Sequence, residues 1–349
     1  MKAVVWNGPF DVRVGKVDDC PPPGPGSAVI SVQAAGICGT DLWFYRGQPA
    51  LAPGARLGHE FVGRVHSVGP DVASVRPGDF VIAPFTFSDG TCENCAHEVY
   101  SACENGAPFG SPGIDGGQGE QVLVPFADAT LVAVPAPTTI DELADALALC
   151  DVYSTGLHGV RSAAVGRGDA VVVVGDGAVG LSAVLAAHVA GAASIILLSR
   201  HGERARLGAS FGATEVIGER GPGAVDAVRT LLPGGADGVI ECVGTQEALD
   251  TALGCVRSGG RVGTVGLPHG TTIDLASLFA RNITVAGGMS SPRATIHHAR
   301  DALASINAHP GAVFTHRMRL DEAPEGYRLM HERRAIKVML ASREWLEDA

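Results

Sequence analysis

The chain has no apolar run approaching the roughly 18 residues that a membrane span requires. Its opening, "MKAVVWNGPF", lacks the charged, apolar and small-residue zones of a secretory signal. Neither membrane insertion nor export is therefore expected, and a cytoplasmic location follows. Positive charge is also scarce: 26 Lys+Arg stand against 37 Asp+Glu, a formal charge of −11. Such a balance opposes a polyanionic partner such as nucleic acid, although a small anion can still bind where a few donors gather. With 18% charged and 46% hydrophobic residues, the composition is that of a soluble globular protein and gives no sign of disorder. A chain of 349 residues is too long for one ordinary core, so two domains are expected.

Eight cysteines are present and unevenly placed. Cys92, Cys95 and Cys103 form a cluster, while Cys20, Cys38, Cys150, Cys242 and Cys255 are scattered. In a reducing compartment a cluster points to metal before disulfide. Cys20, Cys242 and Cys255 read as small core or loop residues.

Residues 1–152 read as short β-runs broken by Gly and Pro, such as "SAVISVQAAG", "GDFVIAP" and "EQVLVP". Over 153–288 the texture becomes strand, turn and helix in regular alternation, through "AVVVVG", "SIILLS", "GVIECVG" and "GGRVGTVG". Apolar strands separated by helices imply a parallel sheet covered on both faces. The mixed texture returns over 289–349. An α/β domain inserted between two parts of a β-rich domain is the economical arrangement.

Within "VVVVGDGAVGLSAVLAAHVAGA", Gly175-x-Gly177-x-x-Gly180 follows a buried strand and opens a helix whose Leu181, Val184, Leu185 and Val189 fall on one face. That context makes the glycines a dinucleotide turn. The helix N-terminus adds a partial positive charge for a pyrophosphate. In such folds the end of the next strand normally holds an acid that reads the adenosine ribose. Here "SIILLSRHGER" places Ser199 there, followed by Arg200, with His201 and Arg204 close by. A hydroxyl and a guanidinium suit a 2′-phosphate where a carboxylate would repel it, so NADP(H) is expected over NAD(H).

In "LGHEFVGRVHSVG", His59 and Glu60 interrupt a strand-like alternation with two side chains that are costly to bury without a partner. Cys38 lies upstream in "GICGTDLWFYRG", and Asp151 lies downstream in "LCDVYSTGLHG". Together with "RPGDFV", "GDGAVG", "ECVG" and "AIKVML", these segments resemble the zinc-dependent medium-chain alcohol dehydrogenases in order and approximate spacing, over nearly the whole chain.

The resemblance implies an α/β protein with a GroES-like β-rich catalytic domain and a Rossmann doubly wound parallel-sheet domain. Cys38, His59 and Asp151 would be the catalytic zinc ligands, with Glu60 able to exchange onto the metal and Cys150 as the alternative third ligand. Three protein ligands leave a fourth position open, where a bound metal acidifies an alcohol or polarises a carbonyl. Thr40 would pass on the substrate proton. The histidine that often continues this relay is replaced by Trp43, which with Phe44 would narrow the substrate pocket or simply pack. A lobe over about 88–106 would hold a structural zinc through Asp89, Cys92, Cys95 and Cys103, with Asp89 standing where the family has cysteine; His97 or water is the alternative. Thr155 would lie by the nicotinamide, Val179 and Gly180 by the pyrophosphate, and Gly244 and Gly266 along the nicotinamide half. Lys337 would offer its charge to the pyrophosphate. The expected activity is hydride transfer between an alcohol or carbonyl substrate and NADP(H) in a homodimer or homotetramer. The rival readings are a zinc polyol or sugar dehydrogenase on the same scaffold and an NADPH-binding protein without turnover.

Overall fold

The computed structural model describes residues 1–347. The chain forms two compact units, one of Met1–Asp151, Ser291–His298 and the residues from Phe314 onward, the other of Val152–Ser290 and Ala299–Val313. The uninterrupted return expected after residue 289 is thus corrected. Residues 299–313 go back to the second unit, where the turn Pro310–Val313 packs on the helix Ala178–Val189. Leu303 and Val313 are buried there, which gives this excursion its apolar anchor.

In the first unit the long strand Ala28–Ile37 pairs antiparallel with Glu60–Val68 on one side and with Lys337–Ala341 on the other. Phe80–Ala83 and Val132–Ala133 extend the sheet beyond Glu60–Val68, Phe314–Arg319 extends it beyond Lys337–Ala341, and Gln121–Val124 also pairs with Ala28–Ile37. One apolar cluster joins Ile30, Phe61, Phe109 and Val122. A second joins Trp6, Ile37, Leu57, Tyr327 and Val338. Between them these clusters fix the strand ends from which the polar residues described below project.

The second unit is a six-stranded parallel sheet ordered Glu215–Ile217, Ser194–Leu198, Ala170–Val174, Ala236–Glu241, Val256–Thr264, Thr284–Gly287. The strand order reverses beside Ala170–Val174, the switch point at which doubly wound sheets hold their ligands. The helix Ala178–Val189 departs from the one-faced pattern expected of it. Leu181 through Ala187 are all buried, because the helix Val152–Ser162 covers it on one side and the sheet on another. Among the described residues, no helix is long and apolar enough to cross a membrane.

Candidate metal and nucleotide sites

Cys38, His59, Glu60 and Asp151 converge in the first unit, with one donor atom from each within 4.8 Å of the others. All four are buried. Cys38 directly follows the strand Ala28–Ile37, and Glu60 opens the strand Glu60–Val68 opposite Gly36, so antiparallel pairing brings thiol and imidazole to one sheet edge. Asp151 arrives from the segment after the helix Ile140–Ala148. Its Oδ2 lies 3.4 Å from Cys38 Sγ and 3.4 Å from His59 Nε2. Cys150 turns elsewhere and donates its thiol to the Phe61 carbonyl at 3.2 Å, so of the two neighbours Asp151 joins the cluster.

The imidazole is oriented from behind. His59 Nδ1 faces Asp41 Oδ1 at 3.4 Å, which leaves Nε2 directed at Asp151. Asp41 Oδ2 accepts the Cys38 amide at 2.9 Å and Gln118 Nε2 at 3.1 Å. The Tyr327 hydroxyl in turn donates to Gln118 Oε1 at 2.8 Å. Asp41, Gln118 and Tyr327 are all buried. A carboxylate behind a ligating histidine fixes its tautomer and raises its basicity. Sequence reading missed these three residues. The acid three positions after Cys38 was the available signal.

Lys337 requires a correction. Expected beside a pyrophosphate, it is 1% exposed, and its ammonium donates to Glu60 Oε1 at 2.7 Å and to the Ile37 carbonyl at 3.1 Å. One of three lysines in the chain (Lys2, Lys16 and Lys337), it serves as the buried counter-charge of Glu60. Glu60 itself depends on Gly36: a Cβ at that position would lie 2.0 Å from Glu60 Oε2.

The electrostatics fit a divalent cation. Burial pushes the His59 pKa down, but Asp41, Cys38 and Asp151 outweigh it and hold the pKa well above the usual value. Burial, and then Asp151, raise the Cys38 thiol. Burial lifts Glu60 to about 7 despite Lys337. A cation favours thiolate, neutral imidazole and carboxylate together, relieving these competing demands. Glu60 Oε2 is buried with no hydrogen-bond partner. One sulfur, one imidazole nitrogen and carboxylate oxygen form a donor set suited to zinc.

Asp89, Cys92, Cys95 and Cys103 form the second convergent group. Cys92 Sγ lies 3.8 Å from Cys103 Sγ, and the Asp89 amide donates to Cys103 Sγ at 3.2 Å. Asp89 Oδ1 accepts the amides of Thr91 and Cys92, and Oδ2 accepts Asn105 Nδ2. The Asn105 bond leads these in holding the Asp89 carboxyl below its usual range. Burial, with the neighbouring thiols, pushes Cys95 up to about 12. His97 is exposed and faces Glu93 at 3.1 Å, so Asp89 is the fourth member of the group.

In the second unit Gly175 directly follows the strand Ala170–Val174, Gly177 is the N-cap of the helix Ala178–Val189, and Val179 and Gly180 lie in its first turn. A Cβ at Gly180 would meet the Gly175 carbonyl at 1.9 Å, so only glycine permits this closeness of turn and helix. A Cβ at Gly177 meets nothing within 4 Å, so the backbone at the helix start is open on that side. Gly244 and Gly266 follow the fourth and fifth strands. The Glu241 carboxylate holds the first of these turns by accepting the amides of Val243 at 2.6 Å and Gly244 at 2.7 Å. Thr155 Oγ1 lies 2.9 Å from Ser290 Oγ.

The residues expected to receive a 2′-phosphate are arranged differently from the expectation. Arg200 is exposed and His201 half-buried, but Ser199 Oγ donates to Asp176 Oδ2 at 2.8 Å, and Arg204 Nη1 donates to Asp176 Oδ1 at 3.3 Å. Asp176, the residue between the first two glycines, was overlooked in the sequence.

Thr40 is the N-cap of the short helix Asp41–Tyr45, and its hydroxyl forms no capping bond. Trp43 lies half-buried on that helix with the Arg46 guanidinium 5.6 Å from its ring. The neighbouring Phe44 is also half-buried, and its carbonyl accepts Trp6 Nε1.

Residues 24–136 match the alcohol dehydrogenase GroES-like domain, and residues 178–305 match the zinc-binding dehydrogenase domain. A probable zinc-binding alcohol dehydrogenase of Mycobacterium tuberculosis is 35% identical over 94% of this chain and 84% of its own length. Among solved structures, alcohol dehydrogenase TADH from Thermus sp. ATN1 superposes with a TM-score of 0.92 at 36% identity, covering 98% of this chain and 100% of its own. A Sinorhizobium meliloti protein described as a zinc-binding dehydrogenase, bound to NADP, superposes with a TM-score of 0.84 at 32% identity, covering 98% of this chain and 99% of its own.

Proposed function

The chain belongs to the zinc-dependent medium-chain alcohol dehydrogenase family, and from that premise we propose that it interconverts an alcohol and an aldehyde or ketone by hydride exchange with NADP(H). The observation that carries this reading is the buried meeting of Cys38, His59 and Asp151 beside Glu60, in a chain whose other unit has an open glycine turn at its switch point. A purely structural metal site has no use for a neighbouring carboxylate held in reserve.

Zinc bound at this cluster would supply Lewis acidity toward the substrate oxygen. Cys38, His59 and Asp151 are the residues that would hold the ion. Asp41 keeps the imidazole Nε2 turned toward it, and Lys337 holds Glu60 within reach of the same position. Thr40, whose hydroxyl is not taken up in capping, relays the proton that leaves the alcohol or arrives at the carbonyl. Trp43 narrows the substrate pocket. In the second unit the turn Gly175–Gly180 and the helix it opens receive the pyrophosphate, and Thr155, Gly244 and Gly266 line the nicotinamide half. Asp89, Cys92, Cys95 and Cys103 hold a second, structural zinc.

NADP(H) is favoured by the exposed Arg200 and by the lack of an acid at the end of the strand Ser194–Leu198, where Ser199 stands instead. The NADP in the Sinorhizobium neighbour agrees with this preference. A cytoplasmic homo-oligomer completes the reading. The self-association is supported by the exposed Leu275 and Phe279, 76% and 87% accessible, near the sheet's edge strand Thr284–Gly287.

The test is a panel of alcohols and carbonyls assayed by NADPH absorbance on zinc-replete protein, with zinc per chain measured in parallel. Turnover that follows zinc occupancy is expected. Tight NADPH binding with no turnover across the panel would establish a binding protein instead.

A further inference from the structure

Asp176 stands between Gly175 and Gly177, at the C-terminal edge of the sheet. The strand that delivers it pairs in parallel with the strand that ends before Ser199, with Val174 opposite Leu198. The Asp176 side chain is 16% exposed and that of Arg204 15%. Three bonds close the group: Ser199 Oγ to Asp176 Oδ2 at 2.8 Å, Arg204 Nη1 to Asp176 Oδ1 at 3.3 Å, and the same nitrogen to the Asp176 carbonyl at 3.2 Å. An acid is therefore present beside the position that normally reads the ribose, although it comes from the glycine turn and not from the end of the second strand.

We propose that Asp176 is a specificity-determining residue of the dinucleotide site, which lowers the preference for the 2′-phosphorylated cofactor. It acts in two ways. Its carboxylate presents negative charge where a 2′-phosphate would bring nearly two more. It also holds the Ser199 hydroxyl and the Arg204 guanidinium, two donors that a phosphate would otherwise use. Arg200 is left as the cation that favours the phosphate, and the preference is set by the contest between Arg200 and Asp176. This inference rests on the reading that the glycine turn binds a dinucleotide, but not on which dinucleotide the parent protein prefers.

The experiment measures dissociation constants for NADPH and NADH by cofactor fluorescence, and for 2′,5′-ADP and 5′-AMP by competition, on the full chain and on Asp176→Asn. The change removes a charge and keeps the shape. The NADPH-to-NADH affinity ratio is expected to rise about tenfold, with the 2′,5′-ADP to 5′-AMP ratio moving alongside and the gain shrinking in high salt. If the group is only a strut between turn and strand, both affinities fall together or the ratios stay put, and the proposal is overturned. Melting temperature is recorded in parallel. Should Asp176→Asn be destabilised, Asp176→Ala supplies the same two ratios, and a shift toward NADH in either variant also overturns it. A parent that prefers NADH, with the ratio still rising in the variant, refutes the NADP(H) preference and leaves this inference standing. A parent that binds no dinucleotide refutes both.

Discussion

Asp89, Cys92, Cys95 and Cys103 all lie within residues 89–103, whereas Cys38, His59, Glu60 and Asp151 are gathered from residues 38–151. The lobe has three sulfurs and one carboxylate, and its members are positioned by nearby backbone, with Asp89 bonded to the amides of Thr91 and Cys92. The other cluster has one sulfur and two carboxylates. It is positioned by a sheet register and by a buried chain from Tyr327 through Gln118 and Asp41 to His59. A local group can hold an ion and steady a loop. Gathering donors from distant segments beside a second carboxylate takes long-range structure, and on that difference rests the proposal that chemistry occurs at the Cys38 cluster.

Removing one sulfur from each cluster separates their roles most sharply. Cys38→Ala is expected to lower kcat/KM at least about a thousandfold, several kcal/mol of lost Lewis-acid stabilisation, while the lobe metal is retained. Cys95→Ser is expected to lose the lobe metal and melt earlier, with freshly prepared enzyme still turning over. Metal analysis beside kinetics reads both, and equal activity losses would erase the distinction.

Acid should strip the two ions unequally. A ligating thiol must lose its proton, so metal affinity falls as pH falls, and it falls more steeply where three thiols compete with protons than where one does. Burial raises the Cys95 and the Cys38 thiols alike, so the number of thiols separates the sites, and occupancy of the lobe is expected to fall the more steeply when pH drops from 8 to 6 against a fixed chelator. A steeper fall at the Cys38 cluster would invert the comparison.

Asp41→Asn leaves every ligand in place but weakens the backing of His59. A loss of about 10- to 100-fold in zinc affinity at that cluster is expected, with none at the lobe. A competition titration with a chromophoric chelator measures it. Gly36→Ala forces a methyl group onto Glu60 and should destabilise the fold by about 1–3 kcal/mol in urea unfolding. Gly39→Ala, whose Cβ meets nothing within 4 Å, is the control. The smallest effect is expected at Asp89. Asp89→Asn should weaken lobe metal retention by about tenfold, and Asp89→Cys should restore or strengthen it.

Much of this was legible in the sequence. Alternation of strand and helix announced the parallel sheet, the strand-to-helix setting identified Gly175, Gly177 and Gly180, and short spacing exposed the cysteine lobe. Each of these signals is local. Gln118 and Tyr327 were invisible because neither has a metal-binding group, and only folding brings them behind Asp41. Lys337 was assigned to the wrong partner because resemblance supplies a position without the side chain's direction. In this chain the ammonium turns to Glu60. Asp176 was passed over because the glycines around it drew the whole explanation of that turn.

The strand Lys337–Ala341 supplies a partner to Glu60 from 277 residues away, yet it occupies an interior place between Ala28–Ile37 and Phe314–Arg319. The counter-ion of Glu60 therefore arrives only when that strand docks. Until it does, the sheet has an open edge, and its fully buried acid lacks compensation. One docking event thus closes the sheet and neutralises the pocket together, so loss of that strand would undo both at once.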